Sequence, residues 1–458
     1  MAANRKFLGD LLQTISERSR ELLSKARTRR PSGEERAENV TELCERLLSG
    51  QGEASGMAIA AEILDAYRTL KTGERIAFFE ALAHSFGPEK TRLEAACKAY
   101  ANDPSDLNAN EVLEAAEPRR QNLIRRLNLA PGATRDLVQM REHLLGAMTR
   151  RSDLQPVDRD FVHLFGSWFN RGFLVLRRID WSTPAIILEK IIRYEAVHEI
   201  DSWDDLRARI DPPDRRCYAF FHPALLDEPL IFVEVALSRD VPDAIAPILS
   251  HTRTILDPRE TTTATFYSIS NTQRGLGGVS FGSFLIKQVV EEISREFPKL
   301  SNFVTLSPAP EFRSWLTRER KAEGSSVFKP SDAHALSLLD QPNWFRNPDA
   351  VNEVKPLLCS AAAHYFLLAR SRKGRPADPV ARFHLGNGAR LDRIDPMADL
   401  SEKGIAQSYG LMVNYRYDLD DIERNHEAYA DAGEVAASPA VKKFLRGDAK
   451  QTALVPAS

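Results

Sequence analysis

Four glycines fall within Gln273-Arg-Gly-Leu-Gly-Gly-Val-Ser-Phe-Gly282, the stretch of this chain densest in chemical possibility. Glycines let successive backbone N–H groups turn toward one point, and a helix N-terminus beyond them adds partial positive charge. Together these make a cradle for phosphate or pyrophosphate, with a plain tight connection as the competing reading. The stretch is neither GxxxxGK followed by Ser or Thr nor GxGxxG. It does contain Gly278-Val-Ser-Phe-Gly282, which has the GxSxG spacing of a hydrolase nucleophile elbow. An elbow needs its serine directly off a strand. Ser280 lies several residues past the strand, so a helix-opening serine is the simpler reading. Two further residues stand beside turns. Ser307 follows a short apolar run and precedes Pro308, and His384 closes another ahead of Gly386-Asn-Gly388. By type alone they read as a turn serine and a structural histidine. His222, His251, His334 and His364 are widely spaced, with no HExxH or His-x-His, so no metal set is expected.

The elements that must position these residues change character along the chain. Residues 1–170 read as helices, with Pro31, Pro88, Pro104, Pro118, Pro131 and Pro156 in polar junctions. Met57–Leu70 carries Ile59, Ile63, Leu64, Tyr67 and Leu70 at helical spacing. Thr134 is the expected N-cap of a helix that lines Leu137, Met140, Leu144 and Met148 along one face. No internal repeat is evident, so an antiparallel helical bundle is expected rather than a solenoid. From residue 171 onward, strand-like runs appear at Phe173–Ile179, Cys217–Phe221, Leu230–Leu237, Thr262–Ser270 and Phe303–Leu306. Ser182-Thr-Pro184 predicts a helix start with Ser182 as cap. A long amphipathic helix is expected from about Val279 to Phe297, with Phe281, Leu285, Val289 and Ile293 four apart. Helices mixed with strands predict an α/β or α+β domain over 171–458, after a helical domain over 1–170.

Composition removes several classes of function. With 62 Lys+Arg against 64 Asp+Glu the net charge is −2, which argues against nucleic acid as a partner. The basic run Lys25–Arg30 is soon followed by Glu34 and Glu35, and reads as a solvated face. Cys44, Cys97, Cys217 and Cys359 are too few and too scattered for a disulfide framework or a cysteine zinc site. The longest nearly apolar stretch, Pro356–Ala369, is too short to span a bilayer. With no secretory pattern at the start, a cytoplasmic location is expected.

From residue 266 on, the sequence resembles the malonyl-CoA decarboxylase family. The resemblance is carried by FYSISNTQRGLGGVSFGSFLIKQVVEEISREFPKL (266–300), FVTLSPAPEFRSWL (303–316) and DPVARFHLGNGARLDRIDPMADLSEKGIAQSYGLMVNYRY (378–417). RRCYAFFHP and EPLIFVEVAL (215–237) match more loosely. The resemblance implies a GNAT acetyltransferase-like catalytic domain, whose mixed sheet splays open around acyl-CoA. It makes the glycine-rich loop the CoA pyrophosphate loop. The expected contacts are Arg274, Gly275, Gly277, Gly278, Val279, Ser280, Phe281, Gly282 and Ser283, although Val279 stands where Gly or Ala is usual.

The family's catalytic serine lies in its Leu-Ser-Pro motif, here Ser307. Its catalytic histidine lies in Phe-His-Leu-x-Asn-Gly-Ala, here His384. A tyrosine of Val-Asn-Tyr-Arg-Tyr lines the site, here Tyr417. Animal members carry an acidic residue at the Ser280 position, so a helper carboxylate does not carry over. They can also end in Ser-Lys-Leu, which this chain does not, as in a bacterial form.

The implied reaction converts malonyl-CoA to acetyl-CoA and carbon dioxide. Its enolate needs an oxyanion hole and a proton delivered to carbon. Ser307 and His384 would form the proton-transfer pair, with His384 either the general acid or the base that polarises Ser307. No metal or organic cofactor is implied, because the thioester accepts the electrons. Self-association into a homodimer or homotetramer through the helical domain is expected. The competing readings are an acyl-CoA-dependent acyltransferase of the same superfamily, a thioesterase using Ser280, and a non-catalytic acyl-CoA sensor.

Overall fold

The structure, a computed structural model, describes residues 33–50, 52–279, 281, 285–322, 327–371 and 374–445, with backbone alone for 33–36. The basic run 25–30 lies outside these residues. Within them the chain divides into two compact units.

The first unit comprises residues up to 173 together with 223–226 and 273–279. Its helices are α1 (Gly33–Ser49), α2 (Glu53–Thr69), α3 (Thr72–His84), α4 (Lys90–Asn102), α5 (Asp106–Ala116), α6 (Arg119–Leu127), α7 (Ala133–Met148) and α8 (Gln155–Trp168). The predicted stripe on α2 is buried at Ile63, Leu64 and Tyr67, against Phe78 and Phe79 of α3. The helix starts at Glu53, earlier than the apolar stripe suggested. On α7, Leu137, Met140 and Leu144 are buried as expected, but Thr134 is not the cap. Gly132, at φ +75°, occupies that position, and the Thr134 hydroxyl donates instead to Asn128 Oδ1 at 2.9 Å. Charges inside the bundle are paired. Arg120 bonds Asp160, which also accepts from Gln121 Nε2 at 2.6 Å. The α4–α5 hairpin buries little beyond Ala96 and Ala115, and leaves Tyr100, Leu107 and Leu113 exposed.

The second unit is built on one mixed sheet. Strands β1 (Val175–Ile179), β2 (Arg215–Phe221), β3 (Pro229–Ser238) and β4 (Thr263–Asn271) form an antiparallel meander. Helices α9 (Ala185–Tyr194) and α10 (Trp203–Ile210) cover it, packing Ile187, Leu188, Ile191 and Leu206 around Cys217, Ala219 and Phe232. The expected Ser182 cap is absent. The Ser182 hydroxyl donates to Asp180 Oδ1 at 2.6 Å, because that carboxylate already gathers the Ser182 N–H into a local turn, and Pro184 takes the cap position.

Beyond β4 the sheet changes direction. Strand β5 (Asn302–Thr305) runs parallel to β4, from Thr263↔Asn302 to Phe266↔Thr305. A parallel neighbour requires a crossover, which the glycine-rich loop and helix α11 (Leu285–Glu296) supply. This helix begins later than Val279, whose N–H instead closes a turn onto the Leu276 carbonyl at 3.0 Å. The N–H of Leu306 still reaches the Phe266 carbonyl at 3.0 Å. The next two residues, β6 (Ser307–Pro308), pair instead with the later strand β8 (Met412–Arg416). The β4–β5 register therefore ends at Phe266 while β4 runs on to Asn271. This is the splayed mixed sheet that the family resemblance implies.

Further along come α12 (Phe312–Glu319), α13 (Ala333–Leu338), the long buried α14 (Pro348–Leu367) and α15 (Pro379–Gly386). Strand β7 (Arg390–Asp395), α16 (Glu402–Ser408) and α17 (Ile422–Ala432) complete the labelled elements, with β7 antiparallel to β8. Among the described residues, no helix is long and apolar enough to cross a membrane.

Candidate active site

Three elements far apart in the chain bring one polar chain into the second unit. Ser307 enters on β6, where its backbone pairs with Val413 of β8. Tyr417 follows β8 directly, and its N–H donates to the Phe303 carbonyl at 2.8 Å, so two neighbouring strands position these two residues. His384 comes from α15. Asp378 caps that helix by accepting the Ala381 N–H at 2.8 Å, and Pro379 stands in its first turn. The helix ends two residues past His384. The N–H of Ala389 returns to the His384 carbonyl at 3.1 Å, and Gly388 takes φ +81°. A Cβ on Gly388 would lie 2.1 Å from the Ile422 carbonyl oxygen, so the turn that aims this helix requires glycine.

The side chains then meet. Ser307 Oγ lies 3.0 Å from His384 Nε2, and His384 Nδ1 lies 2.8 Å from the Tyr417 hydroxyl. Ser307 Oγ is also 2.8 Å from Thr305 Oγ1, and the Thr305 hydroxyl accepts the backbone N–H of Tyr415 at 3.1 Å. The Tyr415 ring stacks on the imidazole at 4.5 Å between centroids and 22° between planes. All five side chains are buried. Burial alone pushes the His384 imidazole down to about 3, so it is neutral across the physiological range. Burial holds the Tyr417 phenol well above its ordinary value, so it keeps its proton. The site is a chain of neutral hydrogen-bonding groups that can pass a proton but resist storing charge.

The other predicted site residues sit elsewhere. Arg274, Gly275, Gly277, Gly278 and Val279 belong to the first unit, and Phe281 is half-buried in the second. Ser280, Gly282 and Ser283, on which the elbow reading falls, lie outside the described residues. In the loop, Arg274 is exposed and Gly278 takes φ +76°. The N–H groups of Leu276, Gly277 and Val279 close onto the loop's own carbonyls of Gln273, Arg274 and Leu276. Gly275 has a packing reason to be glycine. A Cβ there would come within 1.9 Å of the Val138 carbonyl oxygen on α7. The fully buried Arg141 guanidinium donates to the Gly275 carbonyl at 2.7 Å and to Asp158 at 2.8 Å.

The reading from sequence passed over Thr305, Tyr415 and Asp378. A signal existed for each. Thr305 and Ser307 are two apart on an extended segment, and so share a face. Tyr415 and Tyr417 have the same spacing. Asp378 directly precedes a proline, which is a helix-start signature.

A splayed mixed sheet carrying a buried Ser–His–Tyr chain is a framework on which acid–base chemistry can be done. Comparisons with known proteins give the family. A model described as the malonyl-CoA decarboxylase C-terminal domain matches residues 172–455, and one described as the N-terminal domain matches 86–169. This chain belongs to the malonyl-CoA decarboxylase family, a family of carboxy-lyases. The crystal structure of malonyl-CoA decarboxylase from Rhodopseudomonas palustris is 58% identical with a TM-score of 0.87, covering 89% of this chain and 99% of that one. The enzyme from Agrobacterium vitis is 55% identical with a TM-score of 0.85, covering 89% and 100%. The mitochondrial malonyl-CoA decarboxylase of the goose Anser anser anser is 35% identical over 419 residues, 84% of this chain and 83% of that protein.

Proposed function

We propose that this chain decarboxylates malonyl-CoA to acetyl-CoA and carbon dioxide, with Ser307 as the proton donor to carbon and His384 and Tyr417 as the relay behind it. The observation that carries this reading is the unbroken Tyr417–His384–Ser307 contact chain at 2.8 and 3.0 Å. As the C–C bond breaks, its electron pair passes into the thioester as an enolate and carbon dioxide leaves. The enolate carbon takes the Ser307 hydroxyl proton, Ser307 takes one from His384 Nε2, and His384 Nδ1 takes one from Tyr417. The phenol is restored from solvent, so one proton is consumed per turnover, and the imidazole must return from its Nδ1–H to its Nε2–H form before the next one. An imidazole held near 3 disfavours an imidazolium intermediate, and a buried phenol disfavours a phenolate. The relay is therefore concerted, with the solvent proton reaching Tyr417 as its own proton leaves. Backbone N–H donors would serve the enolate oxygen.

In this reading the loop Gln273 to Val279 receives the CoA pyrophosphate, with exposed Arg274 as its cation and Gly275, Gly277, Gly278 and Val279 as its wall. The helical unit would support self-association through the apolar face of the α4–α5 hairpin, where Leu107 is 73% and Leu113 72% exposed. Light scattering on a Leu107→Glu, Leu113→Glu variant tests that, and an unchanged mass rejects it. The four cysteines are free, and the location proposed is the cytoplasm. Cell fractionation checks the location, and recovery outside the cytoplasm rejects it.

The decisive experiment is mass spectrometry of the purified protein with malonyl-CoA, with and without a chelator. Acetyl-CoA formed equally in both supports the decarboxylase and its metal-free mechanism. Free CoA with malonate moves the chemistry to a thioesterase at Ser280. No product leaves the sensor, or an acyltransferase awaiting its acceptor.

A further inference from the structure

The Ser307 hydroxyl has one hydrogen and two close oxygen or nitrogen neighbours, Thr305 Oγ1 at 2.8 Å and His384 Nε2 at 3.0 Å. Which of them receives it decides the direction of every bond behind it. If Ser307 donates to Thr305, its oxygen must accept from His384 Nε2–H. Nδ1 is then the acceptor and Tyr417 the donor. If Ser307 donates to Nε2, the imidazole carries its proton on Nδ1 and the chain runs the other way. Only the first direction has a proton on Nε2 ready to replace the one that Ser307 gives to carbon.

We propose that Thr305 is the positioning residue that sets this direction, by accepting the Ser307 proton and so holding His384 as the Nε2–H tautomer. The inference rests on the decarboxylase reading for its catalytic consequence. Thr305 is itself held at both ends. The Tyr415 N–H donates to its hydroxyl at 3.1 Å, and the Asn414 amide donates to its carbonyl at 2.5 Å. Its side chain is fully buried and sits on the same face of the strand as Ser307, two residues on. The contact geometry has Ser307 Oγ donating to Thr305 Oγ1, which also accepts from the Tyr415 N–H. Burial matters here because a solvated hydroxyl would exchange partners freely, whereas this one is confined to neighbours on β8 and β6.

The test has two readouts. The first is the tautomer of His384, read from 15N spectra of histidine-labelled full-length protein, with its signals assigned by their loss in His384→Asn. Wild type is expected to show protonated Nε2 and bare Nδ1. Thr305→Val, which keeps the shape but removes the acceptor, is expected to move the proton to Nδ1, and Thr305→Ser to restore it. The second readout is kinetic. Thr305→Val should lower kcat by about tenfold or more with KM little changed, short of the roughly 10²-fold loss for a group that transfers the proton itself. Thr305→Ser should recover most of the rate. Nδ1–H in wild type overturns the proposal without any variant. So does an unshifted tautomer in Thr305→Val, or a serine variant as impaired as the valine one. If the tautomers behave as expected while wild type makes no acetyl-CoA, the positioning role stands and the decarboxylase reading falls.

Discussion

The glycine-rich loop and the proposed Ser–His–Tyr relay are opposite kinds of candidate site. The loop is contiguous, Gln273 to Val279, and its conformation is written into neighbouring residues. Gly275 is pressed against Val138, Gly278 is left-handed, and three N–H groups close onto the loop itself. The relay draws Ser307, His384 and Tyr417 from three elements spread over more than a hundred residues. It exists only because β6 leaves β4 for β8 and because Asp378 and Gly388 fix where α15 starts and stops. A contiguous motif reveals a conformational need and leaves its ligand open. An assembled site reveals its chemistry once the fold has formed, and almost nothing before.

The strongest way to break this comparison is to show that the relay is dispensable. Ser307→Ala and His384→Asn should each lower the rate of acetyl-CoA formation by about 10²-fold or more, the usual scale for a positioned acid–base group. Because the two act in one chain, the double variant should be little worse than either single one. Rates near wild type in both single variants would leave the contact geometry without a catalytic role.

The loop should fail differently, through folding. Gly275→Ala places a methyl group 1.9 Å from a backbone oxygen that cannot rotate away. Overpacking of this kind costs typically about 1–3 kcal/mol, and urea unfolding followed by circular dichroism should show it as an earlier transition. Gly278→Ala has nothing within 4 Å of its new Cβ and pays only for its left-handed φ, about 1–2 kcal/mol. If Gly275→Ala proves no worse than Gly278→Ala, the packing reason for the first glycine is wrong.

These contrasts show what was legible beforehand. Strands β3 and β4 of the meander were readable because their runs are rich in β-branched and aromatic residues, and the stripe on α7 because its apolar residues recur every three or four positions. Both caps placed by residue type, Thr134 and Ser182, were misplaced, since a neighbouring Asn128 and Asp180 compete for the same hydroxyls. Strands β7 and β8 were not found from composition. β7 reads Arg-Leu-Asp-Arg-Ile-Asp, and its charges are tolerated because Arg390–Asp392 and Arg393–Asp395 pair along it. Ser307 and His384 carried no local mark of function, and only family resemblance singled them out. Thr305 and Tyr415 escaped both routes, because their importance lies in what they touch.

The finest test separates the relay from an ordinary histidine by pH. An exposed imidazole titrates near 6.5, whereas burial lowers His384 to about 3. Between those values the native protein keeps His384 neutral, so kcat should show no acid limb from this residue until far below 6.5. The unfolded chain does take up that proton, so the His384 contribution to stability is complete above 6.5 and is lost as pH falls toward 3. The stability advantage of wild type over His384→Asn should therefore shrink on acidification while kcat of the folded wild type holds. Three buried carboxyls could imitate an imidazole, and burial raises those of Glu234 and Asp395 to about 7. Burial raises the Asp378 carboxyl to about 6, and its protonation would weaken the cap on the helix that carries His384. An acid limb near 6 that vanishes in Asp378→Asn belongs to the cap and leaves the relay intact. A limb near 6.5 that survives in Asp378→Asn, and also in Glu234→Gln and Asp395→Asn, means His384 is wetter and more basic than its burial implies, and the concerted relay gives way to a charged imidazolium acid.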